Sequence, residues 1–170
     1  VFDLYGTLLH IVDNKHVYSN VCSELGLTEH DERRHSRNIA LTKNFDSISD
    51  FALALDPNSR VCPLFYEREL KKELDSVICS YEALLVLDIL QKSDIKVGLI
   101  SNLATPYKKP VYDMHLHTYF DEMIFSCDAG LKKPDEQIYL NMSKALDVVP
   151  ENMLMIGDTL RTDVFGPSSV

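Results

Sequence analysis

Four short apolar segments, each closed by a polar turn, restrict what this chain can become. They read VFDL (1–4), KVGLI (96–100), EMIF (122–125) and NMLMI (152–156). Behind them stand Gly6-Thr7, Ser101-Asn102, Ser126-Cys127-Asp128 and Gly157-Asp158. Near-continuous apolar runs of this length suit strands buried on both faces, the kind parallel sheets use. Helical stretches alternate with them, as βαβ crossovers require. The pattern predicts an α/β fold: a Rossmann-like parallel sheet with helices on both faces. Ligands of such sheets lie beyond the carboxyl ends of the strands. Asp3, Ser101 and Asp158 then share one rim.

The connecting helices carry their own signals. SYEALLVLDILQKSD places Leu84, Leu87 and Leu90 on one face before the second strand. Pro106 and Pro110 interrupt the stretch after Asn102, so a helix is expected from Pro110. PDEQIYLNMSKALDV opens with Pro134 and acids, and Ile138, Met142 and Ala145 form its expected inner stripe.

Residues 10–80 break the alternation and read as successive short helices. Val17, Val21 and Leu25 recur at helical spacing and Gly26 follows as a C-terminal cap. Thr28 with Asp31, and Ser47 with Asp50, have the spacing of helix-starting boxes. Leu70, Leu74 and Val77 supply a further stripe, and Leu64, Phe65 and Tyr66 read as core or interface. The expected organisation is an α/β core of residues 1–9 and 81–170 with a small all-helical domain over 10–80.

Charge and cysteine usage narrow the class. The net charge is −9, from 17 basic and 26 acidic residues, and no basic stripe of a nucleic-acid binder is present. DERRHSR at 31–37 is the one arginine cluster; its own acids partly offset it, and Arg34 and Arg37 read as solvated helix charges. No apolar run is long enough to span a bilayer. Cys22, Cys62, Cys79 and Cys127 are scattered, which suits free buried thiols in a reducing cytoplasm. The chain begins with Val inside a strand and ends at VFGPSSV, so the expectation is a longer natural protein cut at both ends. Nothing in it reports an oligomeric state.

The rim residues define a chemistry. Asp3 at a strand end can serve as nucleophile or metal ligand. Gly6 permits the turn behind it, and Thr7 offers a hydroxyl to an anion. Ser101 and Asn102, with free backbone N–H groups, suit an oxyanion. Lys133, extended because Pro134 follows, can neutralise a buried anionic centre. Asp158 and Asp163 would repel Asp3 unless a divalent cation sat among them, and Mg2+ favours such oxygens.

Taken together, DxxGT from Asp3 to Thr7, Ser101 after the second strand, Lys133 before proline, and GDxxxxD from Gly157 to Asp163 resemble the haloacid dehalogenase superfamily of hydrolases. The resemblance spans nearly the whole chain, and residues 10–80 sit where members carry a helical cap. It implies that Asp3 is a nucleophile forming a covalent aspartyl intermediate. It implies that Ser101 binds the transferring group, that Thr7 supports the nucleophile loop, and that Lys133 steadies the negative charge of Asp3 and substrate. It further implies Mg2+ held by Asp3, Asp158, Asp163 and the Tyr5 backbone carbonyl.

Tyr5 departs from the phosphatase pattern, which has an aspartate there to protonate the leaving group. A phenol, with its ordinary pKa of about 10, is a weak donor at neutral pH. Tyrosine at this place resembles the 2-haloacid dehalogenases, which work without a metal and have serine where Asp158 stands. A metal gives Asp158 a purpose. The favoured reading is therefore an Mg2+-dependent phosphatase of a small phosphorylated molecule, with dehalogenase and a catalytically weak binding domain as alternatives.

Overall fold

Phe2 stands at the middle of the sheet. In the computed structural model, which describes residues 1–170, it bridges Leu99 on one side and Ile156 on the other, both in parallel. Four backbone bonds hold it there: Phe2 N to Gly98 O (2.8 Å), Ile100 N to Phe2 O (2.9 Å), Asp3 N to Ile156 O (2.8 Å) and Ile156 N to Val1 O (2.9 Å). The extended strands are β1 (Leu9–Ile11), β2 (Val77–Cys79), β3 (Gly98–Ser101) and β4 (Glu122–Phe125). β3 pairs with β4 in parallel, from Gly98 opposite Glu122 to Ser101 opposite Phe125. The spatial order is thus β4, β3, the 1–4 segment, then the 152–156 segment, all running the same way. The strand expected from Lys96 begins at Gly98, because the Asp121 carboxylate takes the Val97 N–H at 2.7 Å.

Strand alternation sends neighbouring residues to opposite faces. Leu99 joins Phe2, Leu4 and Leu87 on one side, while Ile100 joins Ile138 and Met142 on the other. The helices α5 (Tyr81–Gln91) and α8 (Glu136–Leu146) supply these partners, with the short α7 (Ser126–Ala129) between β4 and α8. In α5 the expected stripe holds: Leu87 is buried, with Leu84 and Leu90 half-buried against the same cluster. In α8 the third member of the stripe is Leu146; Ala145 is exposed, one position off the i, i+4, i+8 line from Ile138. Asp135, not Pro134, caps α8, its carboxylate accepting from Gln137 N. The Pro110 signal marks α6 (Lys109–Asp113), after a 3₁₀ turn at Thr105–Lys108.

Four helices lie between Ile11 and Val77: α1 (Val17–Glu24), α2 (His30–Thr42), α3 (Ile48–Leu55) and α4 (Pro63–Asp75). They close around Phe51, Ile48, Val21 and Leu70, a cluster separate from those of the sheet. Gly26 follows α1 at φ +77°, the left-handed region that favours glycine. Ser47 caps α3 as its spacing predicts, accepting from Asp50 N. The box at α2 is formed by Glu29 and Glu32, one residue beyond Thr28 and Asp31, because the helix begins at His30. Val77 leaves the α4 stripe and enters β2. On α4 the inward line is Tyr66, Leu70 and Glu73; Leu64 and Phe65 point outward, 83% and 48% exposed. Cys62, expected to be buried, is exposed at the start of α4. No helix is long and apolar enough to cross a membrane.

The helical stretch is tied at both ends by an antiparallel ribbon that three-residue strands concealed in the sequence: Leu9 lies opposite Cys79 and Ile11 opposite Val77.

Leu99 is fully buried while Leu154 is 71% exposed. Leu99→Ala should therefore cost about 2–5 kcal/mol in urea unfolding, and Leu154→Ala less than about 0.5 kcal/mol.

Candidate active site

The chain carries Asp3 out of the central strand and into a tight turn. Gly6 adopts φ +93°, and a side chain there would collide with the Asp158 carboxylate. Gly157 is constrained in the same way: a Cβ would strike Asp163. The two glycines let the first and last motifs close on one another.

Lys133 is the link between them. Its Nζ donates to Asp3 Oδ1 at 2.6 Å and to Asp163 Oδ1 at 2.7 Å, with Lys133 3% exposed, Asp3 7% and Asp163 4%. Two bonds fix its backbone: Lys133 N donates to Asn102 Oδ1 and Asn102 Nδ2 donates to Lys133 O, both at 2.8 Å. Asn102, expected at an oxyanion, uses its amide in this clamp. Burial pushes the Asp3 carboxyl above its ordinary range and Asp163 adds to the shift, while the Lys133 ammonium opposes it. Asp163 Oδ2 accepts from Thr159 N at 3.0 Å. Asp158 is exposed, and Thr159 Oγ1 donates to it at 3.2 Å.

Asp3, Asp158 and Asp163 can each present one oxygen such that all three lie within 4.8 Å of one another. Three carboxylates at that spacing, with glycine backbone on two sides, fit a small hard cation of the Mg2+ type. Ser101 ends β3 beside this cluster and is buried. The Thr7 hydroxyl is buried with no partner, in the turn that follows Asp3.

Tyr5 turns away from the carboxylates. Its hydroxyl donates to the Tyr107 carbonyl at 2.9 Å, and the two rings meet edge to face at 5.9 Å. Tyr107 in turn donates its hydroxyl to Glu73 Oε1 at 2.5 Å, and Lys15 N donates to Glu73 Oε2 at 2.7 Å. Burial and the Glu73 charge hold the Tyr5 phenol well above its usual range. Glu73, 1% exposed on α4, and Tyr107 were missed in the sequence. The available signal was a carboxylate on an apolar stripe, three residues after Leu70.

Two cavities open beside the cluster. One of about 480 Å³ is lined by Tyr5, Val17, Tyr18, Phe51, Glu73 and Tyr107, among others, and is mostly apolar. The other, about 1000 Å³, reaches Lys133 and Asn102. Asp3 lines neither, being walled in by Lys133.

A sequence model described as a haloacid dehalogenase-like hydrolase matches residues 1–167. The chain belongs to the haloacid dehalogenase-like hydrolases. It is 31% identical over 83 residues to a glyceraldehyde 3-phosphate phosphatase of Pyrococcus furiosus, a match covering 48% of this chain and 34% of that protein. The chain thus spans about a third of that relative's length. Among solved structures, a family enzyme of Bacteroides thetaiotaomicron in complex with magnesium and inorganic phosphate superposes with a TM-score of 0.70 at 16% identity, over 99% of this chain and 87% of that one. A 2-haloacid dehalogenase of Pseudomonas syringae superposes at 0.65 and 19% identity, over 99% and 80%. These two likenesses show the haloacid dehalogenase-like fold and do not separate the two reactions.

The Lys133 contacts carry a stability consequence. Lys133→Met leaves two buried carboxylates with no counter-charge, and removing one partner of a buried ion pair typically costs about 3–5 kcal/mol. Chemical denaturation at neutral pH should show a loss of that size, shrinking in the Lys133→Met/Asp163→Asn double variant.

Proposed function

We propose that this hydrolase is an Mg2+-dependent phosphatase acting on a small phosphorylated molecule, with Asp3 as nucleophile. The gathering of Asp158 with Asp3 and Asp163 carries the reading. A site working without a metal would gain nothing from a third carboxylate, which disfavours the ionised form of Asp3 that attack requires. In support, the Pyrococcus relative is a phosphatase by name, and the Bacteroides structure holds magnesium and phosphate.

In this reading an Asp3 oxygen attacks phosphorus, the bond to the leaving oxygen breaks, and that oxygen keeps the electron pair. Water then adds to phosphorus, breaks its bond to Asp3 and releases inorganic phosphate. Mg2+, held by Asp3, Asp158, Asp163 and the Tyr5 carbonyl, supplies positive charge to the phosphoryl oxygens. Lys133 balances the Asp3 charge, Asn102 positions Lys133, and Ser101 and Thr7 donate to the phosphoryl group. Residues 10–80 act as a cap over the rim, joined to the core through the β1–β2 ribbon.

Neither Tyr5 nor Glu73 is placed to protonate an alkoxide. The Tyr5 hydroxyl is committed to Tyr107, and both Glu73 oxygens are occupied as hydrogen-bond acceptors. The substrates that fit are those with stable leaving groups, aryl or acyl phosphates, and the apolar cavity beside Tyr5 suits such groups.

A hydrolysis panel tests the reaction. Aryl and acyl phosphates should turn over with Mg2+ and stop with chelator, and Asp3→Asn should lose activity. Alkyl phosphates should be slower by roughly 100- to 10,000-fold, the usual worth of general acid–base assistance. Halide release from 2-halo acids in chelator would instead establish the dehalogenase, the reading that Tyr5 favours.

A second measurement isolates Tyr5. Tyr5→Asp should raise turnover of alkyl phosphates by at least about tenfold while lowering stability by about 1–3 kcal/mol through the lost bond to Tyr107. Equal alkyl turnover in both proteins would place the proton donor elsewhere.

A further inference from the structure

Glu73 is a buried carboxylate that no cation of the chain reaches. It is 1% exposed on α4, and every salt bridge in the protein lies elsewhere. Two neutral donors hold it, the Tyr107 hydroxyl at 2.5 Å and the Lys15 backbone N–H at 2.7 Å. The Lys15 ammonium turns instead to Asp13 at 2.6 Å. A carboxylate oxygen has two lone pairs, so each Glu73 oxygen, accepting once, can accept again. Burying a charge without a counter-charge is costly, and a cation brought by a ligand offsets that cost.

Glu73 lines the smaller cavity together with Tyr5, Tyr18, Phe51 and Tyr107. The rings follow one another from centroid to centroid: Tyr5 to Tyr107 at 5.9 Å, Tyr107 to Tyr18 at 6.2 Å, Tyr18 to Phe51 at 4.8 Å. Burial holds the three phenols above their usual range, so they meet a ligand as neutral rings. Ring faces attract cations within about 6 Å, more strongly where water is excluded. Arg33 and Arg37 stand on the same wall, and both are exposed. Arg33 is bound to Thr28 O and Ser23 Oγ, each at 3.2 Å, and neither arginine pairs with Glu73. The volume of about 480 Å³ suits a small organic group.

The cavity adjoins the reacting centre. Tyr5 lies two residues after Asp3, and Asn102 lines the cavity while clamping Lys133. A group leaving phosphorus at Asp3 has this hollow beside it.

We propose that Glu73 and the rings of Tyr5, Tyr18, Phe51 and Tyr107 form a cation subsite, so the leaving part of the substrate is an aryl or acyl group that carries an ammonium. The subsite deepens the phosphatase reading and rests on it for the phosphoryl end.

Phenyl phosphates with para 2-aminoethyl or 2-(trimethylammonio)ethyl tails are compared with their 2-hydroxyethyl and 3,3-dimethylbutyl counterparts, which match them in length and shape. At least one ammonium ester should show a kcat/KM about ten- to a hundredfold above its neutral counterpart. The tail with the larger gain tells a primary amine from a quaternary ammonium. Glu73→Gln should reduce that preference at least about fivefold, with circular dichroism showing both proteins folded. Where Glu73→Gln does not fold, Tyr18→Leu takes its place: it removes one ring face and should lower the preference for the quaternary tail at least about threefold. Hydrolysis of phenyl phosphate with no preference for either ammonium, or a preference that survives intact in the folded variant, overturns the subsite and leaves the phosphatase standing.

Calorimetry with the correspondingly tailed benzylphosphonates and Mg2+ separates the two ideas. If no ester turns over, yet an ammonium phosphonate binds at least about tenfold tighter than its neutral counterpart and loses this in the variant, the reaction falls and the subsite stands. Equal binding of charged and neutral tails overturns the subsite.

Discussion

The contact between Lys133 and two buried carboxylates is what the rest of the site is arranged around. Asp3 comes from the first strand segment, Asp163 from the turn after the last, and Lys133 from the loop between β4 and α8. Without the ammonium, the sheet would bring two negative charges together under cover, and burial already raises the Asp3 carboxyl. The lysine cannot wander, because Asn102 holds its backbone on both sides. Asn102 is itself fixed by following β3. A parallel sheet thus delivers every member of the cluster from a strand end or the loop just beyond one. Gly6 and Gly157 remove the side chains that would keep the outer carboxylates from approaching.

A second buried charge plays the corresponding part between the helical stretch and the sheet. Glu73 on α4 accepts from Tyr107 on the sheet side and from Lys15 on the way out of the ribbon. A carboxylate at 1% exposure is tolerated because both oxygens are satisfied. The same contact orders Tyr107, whose carbonyl receives Tyr5. The position of the tyrosine in the first motif therefore depends on a residue 68 places away in sequence.

The sequence was most legible where one physical demand acts alone. The buried strands, the α5 stripe and the Ser47 cap each follow from a local pattern of burial or hydrogen bonding. It was less legible where two demands compete. Val77 fits a helical stripe, yet ribbon pairing with Ile11 takes it into a strand. Asn102 carries groups suited to an anion, but its amide satisfies a backbone N–H and C=O that proline forces into an extended loop. Glu73 was hidden because a carboxylate is read as a surface residue until its donors are known, and those donors come from distant segments. Arg34 and Arg37 read as solvated helix charges, and both are exposed on α2. Carboxylates at strand ends, by contrast, were collected by topology alone, so Asp3, Asp158 and Asp163 meet as their spacing required.

The phenol at position 5 and the carboxylate at 73 belong to one electrostatic arrangement. They line the same mostly apolar cavity, and the Glu73 charge is one reason the Tyr5 proton is so firmly held. A second ionised acid at position 5 would face Glu73 at low local dielectric, where like charges repel strongly and one of them keeps its proton. A neutral phenol avoids that conflict, leaving Glu73 to accept from Tyr107 and Lys15. In the phosphatase reading proposed above, the cost falls on proton delivery to the leaving group. The first motif is thus packed against the helical stretch as well as against the carboxylates beside it, and the Tyr5 side chain is placed through α4.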